Sequence, residues 1–209
     1  MHHVFVSFHH ANDQGYKDNL VAWAKENDVF IDDSVDMGEI PDDWTPQQIR
    51  TYIRDYHLKS STVTILLVGT ETKNRKHVDW ELYSSMYDGA VNKKSGIIVI
   101  MLPSTRCYLH TLPRTSDKQT ILPEERNWIS IDNREQYKER YPYMPDRIID
   151  NLLENGVNIA VINWSDLTDN WNLLCDEGAE KLRQLIDNAY NDRASNDYDL
   201  SRPMRMRNS

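Results

Sequence analysis

The stretch Asn74-Arg-Lys-His-Val-Asp-Trp-Glu-Leu-Tyr-Ser-Ser-Met86 decides how this chain is read, because of what precedes it. Thr62-Val-Thr-Ile-Leu-Leu-Val-Gly69 is the most hydrophobic strand candidate, so a polar turn and then a helix follow the end of a buried strand. In open α/β sheets the rim at the carboxyl ends of parallel strands is where ligands bind. Residues three and four apart share a helix face, which makes His77, Val78, Ser84 and Ser85 the neighbours of Glu81. Val78, Leu82, Ser85 and Met86 form the stripe predicted to pack on the sheet, with Glu81 at its border. A carboxylate in that position is half buried without being lost in the core. Taken alone, an unpaired helix glutamate reads as solvated.

Upstream, His3-Val-Phe-Val-Ser-Phe8 is apolar on both alternating faces, as expected of a central parallel strand covered on both sides. His9-His-Ala-Asn-Asp13 is a short polar loop in which Asn12 or Asp13 caps the next helix. That helix is predicted over 16–26, with Leu20, Trp23 and Ala24 at helical spacing. Val29-Phe-Ile-Asp-Asp33 is a second, shorter strand, and 34–43 is a polar loop punctuated by Gly38 and Pro41. Thr45-Pro46 is a cap followed by proline at the first helical position, opening a helix that runs to about Leu58.

Downstream, Ile97-Ile-Val-Ile-Met-Leu102 is a fourth buried strand closed by Pro103. Strand and helix have alternated at short intervals to this point, which requires parallel pairing through right-handed crossovers. From 104 to about 145 the regularity fails. Four prolines, a Tyr-rich 137–143 segment and one short possible strand at 128–131 read as an insertion on one rim. A helix then opens at Pro145-Asp146, Val157-Asn-Ile-Ala-Val-Ile162 is the fifth strand, and a last helix spans 177 to about 190. The predicted fold is therefore α/β: a doubly wound, flavodoxin-like, five-stranded parallel sheet, in one domain over 1–194. The basic tail 195–209, carrying Arg202, Arg205 and Arg207, has no apolar period and is read as disordered or docked on a partner.

The 209 residues include six Trp and eleven Tyr, enough apolar surface for one ample core. A formal charge of −9 argues against nonspecific nucleic-acid binding, which needs cations to neutralise phosphates. Cys107 and Cys175 have no partner motif, so neither a disulfide framework nor a Cys-rich metal site is expected. No signal peptide or membrane span is expected, and a cytoplasmic protein fits.

The familiar phosphate cradles G-x-G-x-x-G and G-x-x-x-x-G-K-S/T are missing. A phosphate would fall to helix N-termini or to Lys73, Arg75 and Lys76, which alone read as a solvated basic turn. His2, His3, His9 and His10 lack the converging spacing of a zinc site, so no metal is expected. The acidic cluster Asp32, Asp33, Asp36, Glu39, Asp42 and Asp43 does not match a calcium loop. Phe8, Trp44 and Trp80 serve equally as an aromatic wall for a ring or as core packing.

Together these segments resemble a Toll/interleukin-1 receptor (TIR) domain, and more closely the TIR-like proteins of bacterial Thoeris anti-phage systems. The resemblance rests on Val4-Phe-Val-Ser-Phe8 with His9 and Asp13, and on Phe30-Ile-Asp-Asp-Ser34 with the Gly-containing loop after it. It rests also on Ser61-Thr-Val-Thr-Ile-Leu-Leu-Val-Gly-Thr-Glu-Thr72 followed by His77-Val-Asp-Trp-Glu81. It is close over residues 3–102 and loose beyond. Enzymatic members often carry W-x-x-x-E on this helix; here His77 stands in the first position and the Trp is displaced to 80.

The resemblance implies cleavage of NAD, as substrate rather than cofactor, at its nicotinamide–ribose bond, giving a cyclic ADP-ribose-type signal or ADP-ribose. It casts Glu81 as the catalytic carboxylate, with Phe8 or Trp80 beside the nicotinamide and Ser7, His9 and His77 at the same edge. It further implies self-association through the 34–44 loop and a downstream effector that senses the nucleotide product. Two rivals stand beside it: a noncatalytic TIR interaction module, and a nucleoside enzyme resembling the deoxyribosyltransferases.

Overall fold

The computed structural model describes residues 1–34, 40, 41, 43–90, 92–129 and 133–208. Five strands, β1 (His3–Ser7), β2 (Ile31–Asp32), β3 (Val63–Val68), β4 (Gly96–Met101) and β5 (Ile159–Asn163), form one sheet in the order β2-β1-β3-β4-β5. Every pairing between them is parallel. β3 and β4 are buried at every position, because helices cover both faces. β2 is shorter than the predicted 29–33 strand; Val29 and Phe30 are buried in the core without joining its ladder.

Alternation along the strands builds two half-cores. Val4, Val6, Ile65, Leu67, Ile98, Ile100 and Ile162 point to one face, where α1 (His10–Glu26) and α7 (Asp176–Asp192) cover them. Leu66, Val68, Ile97, Val99 and Val161 point to the other face, against Val78, Leu82 and Met86 of α3 (Lys76–Met86) and Ile148 and Ile149 of α6 (Asp146–Leu152). A third cluster on this second side joins Phe5 to Ile49, Ile53, Trp80 and Met204. The predicted stripe of α3 is thus the one that packs.

α1 begins six residues earlier than expected. His9 takes the N-cap place and its carbonyl accepts from the N–H of Asp13, so Asp13 lies inside the first turn and is not the cap. The helix after Pro46 carries the capping box of Thr45 and Gln48, but only α2 (Pro46–Tyr52) is α-helical, and Ile53–His57 continues as a π-helix. Isolated π-turns of this kind insert an extra residue into the ladder and are frequent beside functional sites.

The 104–145 segment contains α4 (Thr115–Thr120) and α5 (Arg134–Arg140). Thr111 exchanges both backbone hydrogen bonds with Val161, at 3.0 and 2.7 Å, so this segment caps the free edge of β5. Covering an edge strand removes a row of open N–H and C=O groups. Tyr137, Tyr141 and Met144 from the same segment complete the second half-core.

The tail does not hang free. Asn196 and Tyr198 are buried, Met204 enters the third cluster, and backbone groups from Asp199 to Arg205 bond to α3 and α6. A segment without apolar period is held here by polar anchors, which explains why periodicity did not place it.

Candidate functional site

The strand order turns back between β1 and β3: the chain leaves β1 toward β2 on one side and returns to β3 on the other. Crossovers diverge at such a point and leave a crevice at the carboxyl ends of the strands. Ser7 is the last residue of β1, on the same face as Phe5, and α3 lies over that face. The Ser7 hydroxyl donates to Glu81 Oε2 at 2.5 Å, and both residues are buried, Glu81 to 2 % exposure. Burial pushes the Glu81 carboxyl up to about 8, against the opposite pull of the Ser7 hydrogen bond.

Small polar residues let α3 come this close to the sheet. Ser85, one turn after Glu81, has its hydroxyl 2.8 Å from that of Thr64 on β3, and Ser84 and Ser85 are fully buried. The turn entering α3 is equally tight. Gly69 N–H donates to Thr72 Oγ1 at 2.9 Å, and a Cβ at position 69 would lie 2.5 Å from Asp13 Oδ2. An added Cβ would have to push that carboxylate aside. Asp13 is buried, its pKa raised by desolvation and lowered in part by Thr72, so a second buried carboxyl group lies beside the switch point. Sequence reading missed this role for Asp13; its pairing with Gly69 and Thr72 spans two elements.

The remaining predicted residues do not all converge. His9 stands on the same rim, half-buried, with Nδ1 unpartnered; its pKa is lowered by burial and by Arg75. Phe8 is carried to the opposite half-core and stacks on His10 at 4.3 Å between centroids. Trp80 is buried in the third cluster, and its indole N–H donates to the Arg205 carbonyl at 2.7 Å. His77 meets the Trp80 ring edge-on at 5.0 Å. In this structure both Phe8 and Trp80 pack in the core: strand alternation sends Phe8 to the other face, and the tail covers Trp80. The loop expected at 34–44 lies largely outside the described residues, although Ser34 Oγ accepts from Val6 N–H at 2.8 Å and so starts that loop next to Ser7.

Beside Trp80, the outer face of α3 carries a buried ion pair. Arg147 of α6 makes a two-pronged contact with Asp79, at 2.9 and 3.0 Å, and also donates to the carbonyls of Arg202 and Pro203. Asp79 in turn accepts from the Arg205 N–H at 2.8 Å. The tail is thus strapped to the residues flanking Glu81 in sequence. No local pattern marks this pair, since Asp79 and Arg147 lie 68 residues apart.

The basic turn has been put to other uses. Arg75 pairs with Glu71 at 3.0 Å, Lys73 donates to the Pro142 carbonyl, and Lys76 lies over the Trp80 ring. Two neighbouring cavities, of about 220 and 260 Å³, share Lys73, Asp146 and Arg205 in their walls. The N-terminal histidines have separate partners: His2 pairs with Asp187 and His3 with Asp33. Among the described residues the grouping of metal-ligating type is instead His110, Glu125 and Asp166, outside the predicted site. No described helix is long and apolar enough to cross a membrane.

Residues 5–107 match the sequence model of the family described as Thoeris protein ThsB, TIR-like domain. The matched part contains the end of β1, β2 to β4, Ser7, Asp13 and Glu81; β5, α6, α7 and the tail lie beyond it. No curated protein matches the chain.

Proposed function

We propose, from the match of residues 5–107 to the TIR-like domain family of Thoeris protein ThsB, that this chain is an NAD-processing enzyme of antiviral defence, cleaving the nicotinamide–ribose bond. The observation that carries the proposal is the Ser7–Glu81 pair, a desolvated carboxyl group beside the carboxyl end of β1, where the sheet's crossovers diverge.

The chemistry follows from what the pair can do. When the C1′–N bond breaks, its electrons leave with nicotinamide and the ribosyl carbon becomes oxocarbenium-like. An ionised carboxylate held in a dry site stabilises that charge far better than one in water. Ser7 fixes one Glu81 oxygen, leaving the other for a ribose hydroxyl. Water captures the cation to give ADP-ribose with release of a proton; the adenine of the same NAD captures it to give a cyclic product. A partner effector would then sense that nucleotide.

In the closed chain Glu81 is covered, and its high pKa keeps it protonated at neutral pH. The resting protein is accordingly a quiet form, and the site opens on self-association through the 34–44 loop that starts beside Ser7. The same burial favours one rival, a noncatalytic interaction module in which Glu81 is a packing residue. Incubation of concentrated protein with NAD, followed by chromatography of the products, separates the two readings. Turnover lost in Glu81→Gln supports the enzyme. Turnover that survives the substitution dismisses Glu81, and none in any assembled state leaves the module.

A further inference from the structure

Away from Glu81, three side chains of metal-binding type meet at the carboxyl end of β5. His110 and Glu125 come from the 104–145 segment, and Asp166 from the 3-10 helix Trp164–Leu167 that follows the strand. One imidazole nitrogen and one oxygen from each carboxylate all lie within 4.8 Å of one another. His110 Nε2 is 2.8 Å from Asp166 Oδ2, and Nδ1 is 3.5 Å from Glu125 Oε2. His110 is 2 % exposed, and its Nδ1 is buried without a hydrogen-bond partner. A buried polar atom left unpaired costs about 1–3 kcal/mol, and two carboxylates brought this close repel each other. Among the described residues neither carboxylate pairs with a lysine or arginine; His110 is the ion-pair partner of both. A cation seated among the three answers both costs.

Each group is held in place by its surroundings. The His110 N–H donates to the Asn127 carbonyl, and the His110 carbonyl accepts from the Ile129 N–H, both at 3.0 Å. Glu125 Oε1 accepts from the backbone N–H groups of Arg126 and Asn127, which leaves Oε2 for the imidazole side. Asp166 Oδ2 accepts from the Asn163 N–H at 2.7 Å, within a capping box. Outer contacts of this kind orient metal ligands. Donor atoms bound to a tetrahedral zinc ion at about 2.0–2.2 Å stand roughly 3.3–3.6 Å apart. The spacings here, from 2.8 Å to no more than 4.8 Å, bracket that range.

We infer that His110, Glu125 and Asp166 bind a divalent first-row metal ion such as zinc, and that the ion staples the 104–145 segment to the turn after β5. One imidazole and two carboxylates supply too few oxygens for calcium, which takes about six to eight, and no thiolate for a soft ion. Three protein ligands leave a fourth position for water. All three residues lie beyond the matched 5–107, and none touches the Ser7–Glu81 pair, so the site stands whether or not Glu81 is catalytic.

Calorimetric titration of the chelator-treated full chain with zinc chloride tests the inference. Saturable binding of a single ion per chain at submillimolar zinc is expected, with a rise in melting temperature. Glu125→Gln keeps the size of the side chain and removes its charge; it is expected to bind zinc at least about 10-fold more weakly. On the wild type, zinc is expected to slow amide exchange at His110 and Ile129, a localisation that needs no variant. Cobalt(II) in place of zinc should give visible bands without a sulfur charge-transfer band. The absence of saturable binding at submillimolar zinc would overturn the inference and leave an imidazolium between two carboxylates. So would binding that Glu125→Gln does not change, or protection confined to other segments such as the N-terminal histidines. A sulfur charge-transfer band would place the ion on Cys107 or Cys175 and overturn it equally.

Discussion

At the residue scale, Glu81 is a carboxyl group whose environment opposes its ionisation, with a consequence for both stability and rate. Its pKa is raised from 4.5 to about 8 on folding, chiefly by burial. The folded state therefore holds the proton more tightly than the unfolded state. Its contribution to stability is fully present below about pH 4.5, is lost progressively as pH rises to about 8, and changes no further above that. Denaturant titrations from pH 5 to 8 should show wild-type stability falling and Glu81→Gln following a flatter course. If the ionised form does the chemistry, kcat/KM for NAD, which reports the free protein, should rise with pH to a limb near 8. Ser7→Ala removes the group that lowers the pKa, so the limb should move to higher pH; a limb that stays in place would separate Ser7 from the acid.

The Asp79–Arg147 pair is a second lesson at this scale. Its guanidinium is completely buried, with two carboxylate oxygens and two carbonyls around it. Removing one partner strands the other charge, a loss of about 3–5 kcal/mol. Arg147→Met should cost stability in that range by chemical denaturation. Replacing both members with apolar residues should cost less than the single change, because no orphaned charge remains.

At the scale of elements, α3 is held on three sides. Its apolar stripe rests on β3 and β4, its Ser85 hydroxyl bonds Thr64, and its outer face is strapped by the tail through Asp79 and Trp80. Truncation after residue 194 uncovers Trp80 and removes Met204 from its cluster. The expected result is a loss of roughly 2–4 kcal/mol and a red shift in tryptophan emission. Unchanged emission and stability would mean that the strap contributes nothing to α3. The element types were legible in advance because amphipathic period, the Thr45-Pro46 cap and the glycine and proline breaks are local signals. The π-turn after Tyr52 and the early start of α1 were not, since each depends on what the helix packs against.

At the scale of the whole molecule, the fold puts two features on one rim: the buried acid between β1 and β3, and the His110, Glu125 and Asp166 cluster at the end of β5. A site that opens on assembly predicts that NAD turnover per molecule rises with protein concentration or with a crowding agent that drives association. Specific activity constant over a wide concentration range would remove assembly from the account. The 104–145 segment matters at this scale too, since it closes the edge of β5 and supplies His110 and Glu125.

Sequence alone determined the alternation of strands and helices, the parallel sheet and the position of Glu81 on the helix after β3, because periodicity and capping are written within a few residues. Tertiary structure decided which side chains meet. Ser7 and Glu81 are 74 residues apart, Asp79 and Arg147 are 68, and Trp80 and Arg205 are 125. Hydrogen bonds over such separations, and the desolvation that raises the Glu81 pKa, exist only once the helices have closed over the sheet and driven out water. The same packing turned Phe8 and Trp80 from candidate walls into core.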